Sequence, residues 1–110
     1  MSKKALKQNN KVLENAVLER LLKAACERYG TTEQAVRNEY GPHTPPSEKV
    51  RYARGYYVCL VRSFRVPLAE AARSLGVSPQ LAYSFQVYYQ TNEGVIESTE
   101  ALKLIANDKA

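Results

Sequence analysis

The sequence contains few of the side chains from which catalytic and metal sites are built. It has two cysteines and one histidine in 110 residues. Cys26 and Cys59 stand singly in helical patterns, which excludes a disulfide framework or metal-binding spacing and favours two small core residues. His43 has neither a partner for a metal nor a nucleophile to activate, so we interpret it as a solvated loop residue. With no evident pair of acids either, we expect no enzyme activity, no metal and no cofactor.

The sequence also lacks long apolar runs. No segment approaches the roughly 18 apolar residues of a membrane span, and the basic start MSKKALKQNNK lacks the apolar core of a secretory signal. Strand-like alternation is missing as well, whereas helical spacing recurs along the chain. We therefore expect a soluble, cytoplasmic, all-α protein of one domain, with no membrane partner and no small-molecule substrate.

Positive charge is in excess and is unevenly distributed. The net charge is +5, and residues 1–11, expected to be a disordered basic tail, hold four lysines and no acid. Residues 12–110 are expected to form the folded domain, in which residues 49–73 hold six basic side chains against Glu70 alone. The six are Lys49, Arg51, Arg54, Arg62, Arg65 and Arg73. Such a local excess favours an anionic partner.

Apolar spacing predicts a compact bundle of about six helices. The first ends at Gly30, and a short second helix begins with a TTEQ capping box at Thr31 and ends near Glu39. A proline-rich connector over 41–47 follows, after which Ser47 caps a third helix over 48–64. The last helix is expected over about 99–107. Its apolar side would be Ala101, Leu102, Ile105 and Ala106.

The third predicted helix has two stripes. The core stripe comprises Val50, Ala53, Tyr57, Leu60, Val61 and Phe64. The second stripe comprises Arg51, Arg54, Val58, Arg62 and Arg65. Like charges at this spacing repel each other unless a bound anion neutralises them. The second stripe is therefore either a phosphate-contacting ridge or a solvated face. Gly55 interrupts the helix at a cost of about 1 kcal/mol relative to alanine, which the close approach of another helix or of a DNA backbone would explain.

Residues 67–89 follow the steric pattern of a helix-turn-helix. Ala72 supplies a small residue where the two helices would cross, and Gly76 permits a left-handed turn. Ser78 caps the second helix and Pro79 takes its first position. The residues expected to face inward in the second helix are Leu81, Ala82, Phe85 and Tyr89. An ordinary helical hairpin satisfies part of the same pattern.

In a DNA complex the outward residues of the second helix would read bases. They are Ser78, Pro79, Gln80, Tyr83 and Ser84. Gln80 can pair bidentately with adenine, Ser84 suits several bases, and Tyr83 can stack on a sugar or touch a thymine methyl. No Lys or Arg is present for guanine, so the six basic residues of 49–73 would supply the phosphate contacts instead.

Residues about 17–87 resemble the C-terminal DNA-binding domain of the bacterial replication initiator DnaA. The runs CERYGTTEQAV, VRYARGYYVCLVRSF and PLAEAARSLGVSPQLAY keep that family's helix order and spacing, including the Ala53–Arg54 dipeptide. The resemblance implies a fold related to the Trp repressor, a role in replication or transcription control, and a phosphate contact by Arg54. Ser78 to Leu81 replace the family's Asp-His-Thr-Thr reading signature. No ATPase phosphate loop occurs, so the chain resembles a stand-alone relative of the DNA-binding end.

A second class of function is left open by the eight tyrosines. Tyr52 and Tyr56 on the third helix, with Tyr83 and Tyr88 on the fifth, would form a tyrosine-rich surface. Aromatic residues are enriched at protein interfaces, so this surface predicts a protein partner or a homodimer as the alternative to double-stranded DNA.

Overall fold

Six α-helices make up the part of the chain that the computed structural model describes, residues 14–41 and 43–109, and those residues contain no strand. The helices are α1 (Asn15–Tyr29), α2 (Glu33–Arg37), α3 (Glu48–Arg62), α4 (Leu68–Leu75), α5 (Pro79–Glu93) and α6 (Ser98–Lys109). The predicted all-α bundle is confirmed. The predicted basic tail lies outside the described residues.

The helix boundaries follow the capping residues in the sequence. The side-chain oxygens of Thr32, Ser47 and Ser78 each accept a hydrogen bond from the backbone N–H three residues later. These bonds satisfy N–H groups that a helix start leaves without a partner. The prediction for α2 is wrong in detail, because the N-cap is Thr32 rather than Thr31 and the helix already ends at Arg37.

The core is built around α3, which is buried on all sides over residues 53–61. Helices α1 and α5 make its most extensive contacts, while α2, α4 and α6 cover the remainder. Tyr57 is fully buried, and its hydroxyl is hydrogen-bonded to Ser74 Oγ at 2.6 Å, which ties α4 to α3. The predicted core stripe of α3 is therefore confirmed, although α3 is enclosed more completely than a single stripe implies.

Gly55 is the point where α5 crosses α3. A Cβ at this position would lie 2.5 Å from Tyr89 Cβ and 2.7 Å from the Phe85 carbonyl oxygen. Both distances are far below ordinary van der Waals contact. Of the two explanations offered for this glycine, the close approach of another helix is the one that holds.

Three residues predicted to face inward are exposed. Leu81 is 45% exposed and Leu102 is 52% exposed, and Ala106 also lies at the surface. In α6 the side that packs on the core is instead formed by Ala101, Leu104 and Ile105.

The cysteines and the histidine occupy the places expected of them. Cys26 and Cys59 are free thiols in the core, and burial raises their pKa values to about 11 and about 12. Both are therefore protonated at neutral pH. His43 is exposed in the connector before α3. In residues 14–41 and 43–109, no helix is long and apolar enough to cross a membrane.

Candidate nucleic-acid interface

The segment from α4 to α5 has the local geometry that its sequence predicts. Gly76 adopts the left-handed conformation, with φ +73°, and its N–H donates to the Ala72 and Arg73 carbonyls at the end of α4. Ala72 is buried at 1% exposure, and Val77 is half-buried against the core. Only three residues, 76–78, thus separate the end of α4 from the start of α5.

The five predicted base-reading residues all lie at the surface of the first two turns of α5 or at its cap. Gln80 is exposed, and Tyr83 is the most exposed large side chain among them, at 56%. Two hydroxyls are already engaged locally: Ser78 Oγ accepts from the Leu81 N–H, and Ser84 Oγ donates to the Leu81 carbonyl. Ser78 Oγ can still donate one hydrogen bond and accept another, whereas Ser84 Oγ can only accept further ones.

A cleft of about 800 Å³ lies beside the start of α5. One wall is the chain from Arg37 to Tyr40, and the opposite wall runs from Arg73 to Ser78. Arg73 is exposed over 57% of its side chain and pairs with Glu70 at 2.7 Å. Arg73 thus lines the same cleft as Ser78, the cap of α5.

Arg37 joins this cleft and was missed at the sequence level. Its Nε donates to the Ser74 carbonyl at 3.2 Å, and its Nη1 pairs with Glu33 at 3.3 Å. Arg37 lies in residues 12–48, which hold six acidic and four basic residues, and it is 37 residues from its carbonyl partner. No local pattern in the sequence indicates this contact.

A second, smaller cleft of about 300 Å³ lies further along the same flank of α5. Arg51 lines it together with Ser84 and Tyr88, and Arg51 is exposed. Pro46 and Arg54 line both clefts. Exposed Arg73 thus lines the cleft beside the start of α5, and exposed Arg51 lines the cleft beside its second and third turns.

Arg54 departs most from its predicted place. It is only 8% exposed, its Nε donates to the Val36 carbonyl at 2.9 Å, and its Nη2 donates to the Asn38 carbonyl at 2.7 Å. The guanidinium also lies over the rings of Tyr40 and Phe85, 5.2 and 4.8 Å from their centres. Burial lowers the pKa of Arg54, since desolvation disfavours the charged form. Arg54 is therefore a structural link between α2, α3 and α5 rather than part of an exposed ridge.

The other predicted phosphate-contacting residues are dispersed. Lys49 Nζ lies 3.9 Å from where a Cβ on Gly30 would be, at the carboxyl end of α1, where positive charge is favourable. Arg62 is exposed, and its Nη1 donates to the Val66 carbonyl at 2.9 Å. Arg65 is exposed beyond the end of α3, and neither Arg62 nor Arg65 lines the two clefts. Because Val58 is also fully buried, the predicted second stripe of α3 is wrong, both as a phosphate-contacting ridge and as a solvated face.

The predicted tyrosine-rich surface is mostly interior. Tyr56 is 2% exposed and donates a hydrogen bond to Glu100, while Tyr52 stacks on Tyr29 with ring centres 5.5 Å apart. Tyr88 packs on Tyr52 at the same distance. These rings join α1, α3 and α5 through offset and edge contacts of the kind that stabilise cores. Of the four tyrosines named for that surface, Tyr83 alone is predominantly exposed.

Comparison of the chain with protein-family models, with curated proteins and with solved structures finds no match. The resemblance to the DnaA domain accordingly stays an expectation drawn from the sequence.

Proposed function

We propose that the protein binds double-stranded DNA, with the first two turns of α5 in the major groove. One observation carries this proposal: the polar residues at the start of α5 are exposed, and two exposed arginines, Arg73 and Arg51, line clefts beside this helix. A helix-turn-helix presents its second helix in this way, with the N-terminal residues of that helix towards the base edges.

The division of charge supports the same proposal. Helix α5 contains neither Lys nor Arg, so its residues can read base edges but cannot hold the DNA by charge. Phosphate contacts supply most of the affinity and base contacts supply the sequence preference, and the two can come from different elements. The resemblance to the DnaA domain fits this arrangement and points to replication or transcription control in the cytoplasm.

The test is a titration of fluorescent duplex DNA at several salt concentrations. Each neutralised phosphate contributes about −0.9 to the slope of the logarithm of the affinity against the logarithm of salt, so Arg51 and Arg73 alone should give a slope of about −2 or steeper. The double variant Arg51→Glu/Arg73→Glu should bind at least about tenfold more weakly, and its slope should be smaller by about 2.

Lys23→Glu is the matched control, since it makes the same kind of charge reversal at an exposed position of α1 that lines neither cleft. It should lower affinity far less than the double variant. A salt slope near zero, or equal losses in the control and in the double variant, would contradict the proposed interface.

A protein partner is the second candidate, and one observation favours it. Leu81, Tyr83 and Val87 are 45%, 56% and 40% exposed on α5, which makes this surface more apolar than a purely polar reading helix would be. Arg51→Glu/Arg73→Glu distinguishes the candidates, because an interface based on these apolar side chains should survive the charge reversal.

Arg65, which lines neither cleft, allows its predicted phosphate contact to be tested separately through its backbone conformation. It is the one non-glycine residue with positive φ, +65°, in the described part of the chain. A side chain in this conformation costs about 1–2 kcal/mol, so Arg65→Gly is expected to raise the free energy of unfolding by about 0.5–1 kcal/mol. If the side chain is retained for DNA, the same variant should bind duplex DNA more weakly.

Thermal melting and DNA titration of Arg65→Gly measure these two effects side by side. Arg65→Ala is the control, since it removes the charge and keeps the strained backbone. It should lose the same DNA affinity without gaining stability. If Arg65→Gly gains stability and keeps its affinity for duplex DNA, Arg65 makes no phosphate contact.

A further inference from the structure

An apolar depression lies where α4 and α5 both begin. It measures about 430 Å³ and is lined by Leu68, Pro79, Gln80 and Tyr83. Its walls are almost entirely carbon, with the Gln80 amide and the Tyr83 hydroxyl as the polar side-chain groups. The depression therefore occupies the amino-terminal end of α5, the part of the helix that the proposed function places closest to the base edges.

The chemistry of this end of α5 restricts which base pairs it can read. Guanine is normally read by Arg or Lys, and α5 has neither. The Gln80 amide offers one donor and one acceptor, the pair that adenine presents in the major groove. The depression beside it offers no carboxylate to accept from cytosine and no charged donor for guanine, but it suits an apolar group.

Thymine carries the one apolar group on the major-groove edge of DNA, its C5-methyl. We propose that the depression of Leu68, Pro79 and Tyr83 receives a thymine methyl, and that Gln80 reads an adenine next to it. This inference rests on the proposed function and adds a base preference to it. Leu68 comes from α4, so the site depends on the angle between the two helices, which the turn at Gly76 sets.

The test begins with selection of bound duplexes from random DNA using the full chain. Each thymidine of an enriched duplex is then replaced, one at a time, by deoxyuridine, which pairs identically and lacks only the methyl. Burial of one methyl corresponds to a factor of about four in affinity. One or two positions should therefore show about a fourfold loss, and the remaining thymidines should show none.

Tyr83→Ser removes one wall of the depression at an exposed position, so its melting temperature should match that of the parent protein. It should bind the thymidine duplex about fourfold more weakly, like the deoxyuridine duplex, and no longer distinguish the two. Val87→Ser is the matched control, because Val87 is an exposed apolar residue of the same helix outside the depression. It should keep the distinction.

The outcomes separate this inference from the function on which it rests. DNA binding with equal affinity for thymidine and deoxyuridine at every position, or with no enriched sequence, overturns the methyl site and leaves DNA binding standing. Failure to bind any duplex at any salt concentration overturns the proposed function itself. A dimer of this chain that Tyr83→Ser dissociates assigns the depression to a second copy and overturns the methyl site.

Discussion

Replacing Gly55 by alanine is expected to lower the free energy of unfolding by about 3 kcal/mol, at the upper end of the usual cost of overpacking a core. The added methyl would meet Tyr89 Cβ at 2.5 Å and the Phe85 carbonyl oxygen at 2.7 Å. Neither atom can move by side-chain rotation, so α3 and α5 would have to separate along their whole contact. Alanine's better helix propensity offsets only about 1 kcal/mol of this cost.

Thermal unfolding measured by circular dichroism checks this prediction, and the melting temperature should fall by about 10–20 °C. Gly41→Ala is the matched control, because a Cβ there meets nothing within 4 Å and its φ is not positive. That variant should melt within a few degrees of the parent protein. A Gly55→Ala variant as stable as the parent would mean that α3 and α5 do not cross at this distance.

The features that the sequence predicted well are those that act within one helical turn. Gly30 and Gly76 end helices in the left-handed conformation, and Ser47 and Ser78 begin them through bonds to the third following residue. Such devices need no information about the rest of the fold. The placement of the α4–α5 turn and of the exposed start of α5 follows from them.

Burial on α5 was harder to predict for a physical reason. Apolar residues occur on more than one face of this helix, and Leu81 and Ala82 are neighbours in sequence with opposite burial. Helical periodicity identifies a core face only when the other face is polar. The same ambiguity led to the wrong prediction that Leu102 faces the core from α6, whereas Leu104 packs on the core.

Long-range contacts account for the remaining errors. The spacing of the arginines on α3 correctly put Arg51 at the surface, but Arg54 turns inward because two carbonyls 16 and 18 residues away accept its hydrogen bonds. Arg37 reaches the candidate interface through a similar contact across 37 residues. Local residue spacing indicates neither contact, so the positions of the exposed charges could not be predicted from the sequence.

The second large effect is expected at Arg54, whose replacement by alanine should lower the free energy of unfolding by about 3 kcal/mol. The change deprives the Val36 and Asn38 carbonyls of their donor. It also empties the space between the rings of Tyr40 and Phe85. Loss of a hydrogen bond from a charged donor costs about 1.5–3 kcal/mol, and relief from the cost of burying a cation offsets part of the total for two such bonds.

Arg51→Ala is the matched control for Arg54→Ala, because it removes the same type of side chain one turn earlier on α3, at an exposed position. It should change stability by no more than about 0.5 kcal/mol and weaken duplex binding, as measured by thermal melting and DNA titration.

Arg54→Lys should be nearly as unstable as Arg54→Ala, since one ammonium on a flexible stem cannot reproduce the planar pair of donors. If Arg54→Ala instead melted like the parent protein and lost DNA binding, Arg54 would have the phosphate-contacting role that the resemblance to the DnaA domain implies. We expect the Arg54 variants to lose stability, and we expect Arg51→Ala to lose DNA affinity while it remains stable. This result would show that Arg54 builds the interface and that Arg51 contacts DNA.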